Sequence, residues 1–165
     1  GRFAVMLDEY KAKLAEAKKN KKSIRKKIDR LRKLRKGAVD SLVHPLHEAA
    51  FENIDCLNCA NCCKTTGPLF TRADIERIAN YLHISAADFT RNYLKVDEDN
   101  DYVLKSTPCT FLGSDNYCSI YEVRPKACRE YPHTDRSNQL GILNLTEKNA
   151  DICPAVADIF RNLEL

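Results

Sequence analysis

Cysteine carries the strongest chemical signal in this sequence, because four of its eight copies fall within eight consecutive residues. The segment runs from Cys56 to Cys63 and reads CLNCANCC. A two-residue spacing lets neighbouring thiolates converge on one metal centre within a single turn of the chain. The adjacent Cys62 and Cys63 interrupt that spacing, and successive side chains diverge from the backbone. We therefore predict that the two are not equivalent, and that one serves a second centre, bridges two centres or is not a ligand.

The other four cysteines are spread along the chain, each beside residues that favour turns; they are Cys109, Cys118, Cys128 and Cys153. Eight thiols divide into two four-thiolate sites, or into one site plus structural thiols. By its spacing, Cys62 is expected to join the centre of Cys56 and Cys59. Cys63 is expected to belong to a different centre, shared with some of the first three distal cysteines.

Iron–sulfur and zinc centres both fit these thiols. Three thiolates at a two-residue spacing match the start of the ferredoxin pattern, whose last ligand is a distant cysteine followed by proline, as in Cys153-Pro154. An iron–sulfur cluster of the 4Fe–4S type is therefore favoured, although four-thiolate zinc would stabilise the domain equally well. The predicted metal ligands are all eight cysteines: Cys56, Cys59, Cys62, Cys63, Cys109, Cys118, Cys128 and Cys153.

Charge is distributed unevenly along the 165 residues. Residues 1–37 hold 15 Lys and Arg against 4 Asp and Glu, a net charge of +11, whereas residues 38–165 hold 12 against 19, a net charge of −7. We therefore expect a basic helical arm at 1–37 and a cysteine-cluster, metal-binding domain at 38–165.

The arm is predicted to be helical because its apolar residues recur at the a and d positions of a heptad. They are Leu7, Tyr10, Leu14, Ala17, Ile24, Ile28 and Leu31. One long helix fits this pattern, and so do two helices bent near Asn20 and folded back as a hairpin. Gly37 is expected to end the arm, and Asp40 or Ser41 to begin a helix with Pro45 in its first turn.

The density of positive charge on the arm would attract an acidic protein or nucleic acid. No aromatic residue lies between Lys18 and Lys36, so the stacking typical of single-strand binding is not predicted. A solvated helix that packs on the acidic body of its own chain is the alternative. The narrow apolar seam would also suit coiled-coil self-association.

Three histidines have less specific patterns. His44 and His47 lie three residues apart, which suits either a metal clip or an ordinary helix face. His133 lies close to Cys128 in the chain. It could donate a hydrogen bond to a metal ligand, or it could be merely a turn residue. An enzyme that uses the centre as a Lewis acid would also need a base, for which only His133 and Glu130 are available; the sequence leaves this question open.

The scaffold around the cysteines is predicted to be mainly α. Thr71 with Asp74, and Ser85 with Asp88, have the pattern of helix N-termini. A short β-hairpin is expected between residues 94–96 and 102–104, and a last helix over 150–163. The expected fold is a small, mainly α, metal-stabilised cysteine-cluster domain with this hairpin and the long basic N-terminal helix or helical hairpin.

Several segments together resemble the YkgJ-type cysteine-cluster family, over about residues 50–160. They are Cys56 to Cys63, Pro108-Cys109, Cys118-Ser119-Ile120-Tyr121, Arg124-Pro125, Cys128-Arg129-Glu130-Tyr131-Pro132 and Cys153. The resemblance implies a zinc- or iron-chelating domain whose cysteines carry a metal or iron–sulfur centre, with its biochemical role undefined. A flagellin lysine methylase has a similar cluster, but nothing here suggests a methyl-donor-binding domain, so that activity is not carried over.

The leading hypothesis is a metal-binding protein that uses an iron–sulfur cluster, or zinc, in redox chemistry, electron transfer or sensing. The alternative is a structural zinc module that presents a basic helix to nucleic acid or to a protein. We find no secretory signal and no apolar run of membrane-spanning length, so we expect a cytoplasmic protein without a membrane partner. In a reducing compartment, clustered thiols bind metal more often than they form disulfides.

Overall fold

The fold is mainly α-helical with a small antiparallel sheet, as predicted from the sequence. The computed structural model describes residues 4–165, so the first three residues of the predicted arm lie outside it. The helices are α1 (Asp8–Lys19), α2 (Lys21–Leu31), α3 (Lys36–Asn53), α4 (Asn61–Thr65), α5 (Arg72–Tyr81), α6 (Ala86–Tyr93), α7 (Lys126–Glu130), α8 (Leu143–Asn149) and α9 (Pro154–Asn162). The strands are β1 (Leu69–Phe70), β2 (Leu94–Val96) and β3 (Tyr102–Leu104), in the order β1-β3-β2.

The chain divides into two compact units. Val5–Cys59 and Pro132–Leu165 form the first, which holds α1, α2, α3, α8 and α9 and is called the helical unit below. Ala60–Tyr131, with Ala4, form the second, which holds α4 to α7 and the sheet and is called the central unit. This division passes through the cysteine segment, between Cys59 and Ala60. The domain boundary expected at residue 37 stays a prediction.

The basic arm contributes to the core of the helical unit. Its apolar seam provides Tyr10, Ile24, Ile28 and Leu31, all of them buried. They share one cluster with apolar residues of α3 and α9, among them Val39, Val43, Val156, Ile159 and Phe160. The narrow seam is therefore covered by helices of the arm's own chain.

Ion pairs link the arm to α8 and α9 of the same unit. Lys13 Nζ lies 2.9 Å from a carboxylate oxygen of Asp158 on α9, and both side chains are mostly shielded from solvent. Arg25 Nε lies 2.7 Å from Glu147 on α8, where the arginine is largely exposed. Exposed pairs contribute little to stability, so the buried seam is the main source of the attachment.

Helix boundaries in this region differ in part from expectation. The arm is interrupted at Asn20, but the Asn20 N–H still donates to the Glu16 carbonyl, so the helical hydrogen bonds continue into the interruption. The prediction for Gly37 is wrong, because α3 begins at Lys36 after an extended Arg35. Pro45 therefore lies inside α3 instead of in its first turn, where its ring removes one helical hydrogen bond.

Local sequence signals in the central unit are confirmed. Thr71 and Asp74 form a reciprocal capping box at the start of α5, and Ser85 accepts the Asp88 N–H at the start of α6. Strands β2 and β3 form the predicted hairpin, and β1 adds to the free edge of β3. Phe70, Phe89 and Phe111 pack in the core of this unit. The last helix is shorter than expected, because it begins at Pro154 with Cys153 as its N-cap.

Replacing Ile28 by alanine tests whether the arm belongs to the core. Ile28 is fully buried, so we expect Ile28→Ala to lower the free energy of unfolding by about 2 to 5 kcal/mol. Lys22→Ala, on the exposed side of the same helix, should change it by less than about 0.5 kcal/mol. Urea unfolding followed by circular dichroism measures both. Equal stability of the two variants would mean that α2 does not contribute to the core.

Candidate metal centre

Four thiols from separate segments of the central unit lie near enough for their charges to interact and are called the four-cysteine group: Cys63, Cys109, Cys118 and Cys128. The Cys109 N–H donates to the Cys63 carbonyl at 2.8 Å, which holds these two segments side by side. Cys118 forms an antiparallel bridge with Leu112, three residues after Cys109. The Cys128 N–H donates to the Pro125 carbonyl in the first turn of α7. Backbone contacts therefore fix all four positions.

The pKa values of these thiols show that they influence one another. Burial raises the pKa of Cys128 to about 12, with further increases from the charges of Cys63, Cys109 and Cys118. Burial also raises the pKa of Cys109 to about 11 and raises that of Cys118, and in each case the charge of Cys63 adds to the effect. A proton on each of these three thiols is therefore favoured near pH 7.

Backbone N–H donors and one cation offset part of the pKa increase that burial causes. The N–H groups of Phe111 and Leu112 bond to the Cys109 sulfur, and the Ile120 N–H bonds to the Cys118 sulfur; each bond lowers the pKa of its thiol. Arg124 lowers the pKa of Cys118 and of Cys128 through its charge. Arg124 thus offsets negative charge on these thiols, whereas Lys126 pairs with Glu130.

A buried carboxylate positions the loop between Cys118 and Cys128. Asp74 is 1% exposed, and its Oδ1 accepts bonds from Arg77 at 2.7 Å and from the Lys126 N–H at 3.1 Å. Arg77 also donates to the carbonyls of Val123 and Arg124. Burial raises the pKa of Asp74, but the hydrogen bonds from Thr71, Arg77 and Lys126 outweigh it, and the pKa is lowered. A charged Asp74 thus holds the start of α7, two residues before Cys128.

Three further thiols lie together in the helical unit and are called the three-cysteine group: Cys56, Cys59 and Cys153. The Cys59 N–H donates to the Cys56 carbonyl within a 3-10 turn, which Asp55 caps at its start. Burial raises the pKa of Cys153 to about 12; the N–H groups of Ala155 and Val156 lower it, and the charges of Cys56 and Cys59 raise it again. Cys153 therefore places its sulfur at the N-terminus of α9.

Cys62 and Cys63 are adjacent on α4 and interact directly. The Cys62 thiol hydrogen-bonds to Cys63, and this bond is the main reason that the pKa of Cys63 is lowered to about 7. The two side chains therefore diverge less than their adjacency suggested. The expected membership of Cys63 in a second metal centre, with some of Cys109, Cys118 and Cys128, stays a prediction. The expected role of Cys62 beside Cys56 and Cys59 stays a prediction.

The donor set of the four-cysteine group fits a thiophilic metal. All eight cysteines are free thiols. Among residues 4–165, no three histidine, cysteine, aspartate or glutamate side chains are gathered closely enough to hold a metal ion. Ligation by the four-cysteine group would therefore require its sulfurs to move together from these positions. Thiolates are the ligands that zinc and iron–sulfur clusters share, so the chemistry of the group suits either.

The histidines hold a loop of the helical unit. His44 Nε2 lies 2.8 Å from the Arg136 carbonyl, and His47 Nδ1 lies 2.6 Å from the Thr134 hydroxyl, so both rings contact the segment after Pro132. Burial lowers the pKa of His47. His133 belongs to this loop, with its carbonyl accepting from Gln139, whereas Glu130 lies in the central unit. The two candidate bases, His133 and Glu130, therefore belong to different units of the chain.

Comparison with known proteins adds a family to this geometry. The family model CxxCxxCC, described as "Putative zinc- or iron-chelating domain", matches residues 55–154, which is more than half of the chain and includes all eight cysteines. The chain belongs to this family. The YkgJ-type resemblance read from the motifs is consistent with it. No curated protein and no solved structure gives a significant match to the chain.

Membership in the CxxCxxCC family supports zinc or iron chelation as the chemistry of these thiols. None of the helices described between residues 4 and 165 is both long and apolar enough to cross a membrane.

Sequence reasoning missed the second role of Asp74, because its pattern with Thr71 indicates only a helix cap. Arg77 three residues later was the available signal, because that spacing pairs the two side chains on one helix face.

Substituting Asp74 tests whether this carboxylate positions the loop between Cys118 and Cys128. We expect Asp74→Asn to weaken zinc binding by the four-cysteine group about 10- to 100-fold, because a neutral amide loses the ion pair with Arg77 and has no second acceptor oxygen for the Thr71 N–H. Asp88→Asn is the matched control, since Asp88 occupies the same capping position on α6. Competition with a chromophoric chelator under reducing conditions gives both affinities. Equal affinities in the two variants would rule out the support role.

Proposed function

We propose that this CxxCxxCC domain carries an iron–sulfur cluster on the four-cysteine group and uses it in electron transfer or redox sensing. The observation that carries the proposal is the grouping of four thiols from four separate segments within one unit. A 4Fe–4S cluster takes four cysteine thiolates, which is the number available there. When bound, such a cluster supplies reversible one-electron chemistry.

Hydrogen bonds to the sulfurs support a redox role. The N–H groups of Phe111, Leu112 and Ile120 bond to the sulfurs of Cys109 and Cys118, and the Cys62 thiol bonds to Cys63. Hydrogen bonds to ligand sulfurs and limited solvent exposure are the means by which a protein sets the reduction potential of a cluster. The chain's own groups would thus tune the centre.

The three-cysteine group supports iron–sulfur chemistry of the domain, although not the location of the cluster on the four-cysteine group. It brings Cys153, which Pro154 follows, close enough to Cys56 and Cys59 for their charges to affect its pKa. Cys153-Pro154 has the cysteine–proline sequence with which the ferredoxin pattern ends. Ligation at either group requires reduced thiols, so the proposal places the protein in a reducing compartment such as the cytoplasm.

A structural zinc site is the second candidate. The four-cysteine group offers a complete set of thiols without a histidine or carboxylate among them, and four-thiolate zinc sites are closed and structural. Zinc would then stabilise the central unit, and the working surface of the protein would lie elsewhere.

Substituting the adjacent cysteines separately tests the ligand assignment. We expect Cys63→Ser to lose the metal of the four-cysteine group, because it removes one of four thiolates. Cys62→Ser is the matched control on the same short helix and should retain that metal. The measurement is iron, sulfide and zinc content with an absorption spectrum, after anaerobic purification of each variant and the unchanged protein.

The same data decide between the two candidates. Iron and sulfide in equal amounts, with broad absorbance near about 400 nm, support the cluster. Colourless protein with stoichiometric zinc supports the structural site instead. Loss of the same metal from both variants would refute the assignment of Cys63 alone to the four-cysteine group.

A further inference from the structure

One surface of the arm is strongly basic and is called the basic face below: Lys18, Lys19, Lys22 and Lys26. All four side chains are exposed. Lys18, Lys22 and Lys26 follow one another at four-residue intervals, and Lys19 lies beside them. On a helical projection of α2, Lys22 and Lys26 lie opposite Ile24 and Ile28, which point into the core, while Lys18 and Lys19 are exposed in the last turn of α1. The core therefore fixes which way the basic face points.

The basic face has little charge compensation within the chain. In the part of the chain that the structure describes, no carboxylate oxygen lies within 4.0 Å of any of its four ammonium groups. Lys13 and Arg25, on the flanks of the same helices, do have such partners. Asp29 is the one acidic residue on α2.

Like charges at this spacing are unfavourable on their own. Lys22 and Lys26, four residues apart on α2, are separated by about 6 Å along the helix axis, and such a pair destabilises a helix by a few tenths of a kcal/mol. An anionic partner with regularly repeated charges would offset this repulsion. Each strand of a nucleic-acid duplex carries one phosphate per about 3.4 Å of axis, which provides such a repeat.

The burial of the arm argues against other partners. An interfacial membrane helix needs an exposed apolar face, but every exposed residue of α2 is polar. Single-stranded nucleic acid is bound with aromatic stacking, and Tyr10, the one aromatic residue of α1 and α2, is 2% exposed. Protein interfaces depend on buried aromatic or apolar anchors, which α2 does not offer on its exposed side.

We infer that the basic face docks on the phosphate backbone of a nucleic-acid duplex, without reading its sequence. Lysines act there as point charges that displace condensed counterions. This surface lies outside the cysteine groups, so the inference does not depend on which metal they hold.

Binding of labelled duplexes by the full-length protein tests the inference. The probes are a DNA duplex and an RNA duplex of the same sequence, with single-stranded DNA, phosphatidylserine vesicles and a polyglutamate peptide for comparison. We expect binding to at least one duplex at about 50 mM salt, with affinity that falls steeply as salt is raised. The two duplexes distinguish the sources of the phosphate backbone.

Two matched variants locate the binding surface. Replacing the four lysines of the basic face by glutamine should weaken duplex binding about a hundredfold or more, and should reduce the salt slope by about three to four. The control replaces four exposed cations elsewhere by glutamine and so makes the same change in net charge: Arg72, Lys95, Arg136 and Lys148. It should bind within about twofold of the unchanged protein, as should a variant with the four lysines replaced by arginine. Circular dichroism confirms that each variant is folded.

Several outcomes would overturn the inference. One is no binding to either duplex at low salt. A second is equal loss of binding in both glutamine variants, which would show a response to net charge alone. A third is binding to the vesicles or to polyglutamate at least as tight as to the duplexes. Deleting residues 1–37 would be a poor test, because it also removes the buried Ile24 and Ile28.

Discussion

The cost of ionising buried thiols that lie near one another is the constraint on which metal binding by the central unit depends. A thiolate carries a full charge, and burial makes that charge expensive unless a cation compensates it. The raised pKa values of Cys109, Cys118 and Cys128 express this cost. A bound metal would remove it by supplying positive charge to all four sulfurs at once, which makes metal binding and proton release parts of one reaction.

Hydrogen bonds and packing among other groups of the central unit position the four cysteines. The Cys63 carbonyl accepts from the Cys109 N–H, and the pair of Asp74 and Arg77 holds the loop that leads to Cys128. Phe70, Phe89 and Phe111 supply a separate apolar core. The positions of the thiols are thus determined by ordinary packing and hydrogen bonds, and the remaining adjustment is the closure of the side chains.

Local signals in the sequence predicted local structure well. The capping box at Thr71 and the hairpin of β2 and β3 depend on residues within a few positions of one another, and both are present. The start of α3 was missed because Arg35, its N-cap, makes no side-chain cap bond that a pattern could reveal.

Long-range partners were harder to predict. The amphipathic seam of the arm indicated burial, but it does not specify which surface covers it, and α9 does so. Lys126, which donates to Asp74, lies 52 positions away in the sequence. The spacing of Cys62 and Cys63 predicts different roles for them, which stays a prediction, whereas the hydrogen bond between them depends on side-chain geometry.

The most direct measurement of the central claim is the metal coordination of a protein that keeps only the four-cysteine group. In this variant, Cys56, Cys59, Cys62 and Cys153 are replaced by serine, and X-ray absorption spectroscopy at the metal edge identifies the ligands. The account predicts that metal remains bound with sulfur ligands only, at about 2.3 Å if the metal is zinc. A folded variant that binds no metal, or one whose metal has oxygen or nitrogen ligands from the protein, would contradict it.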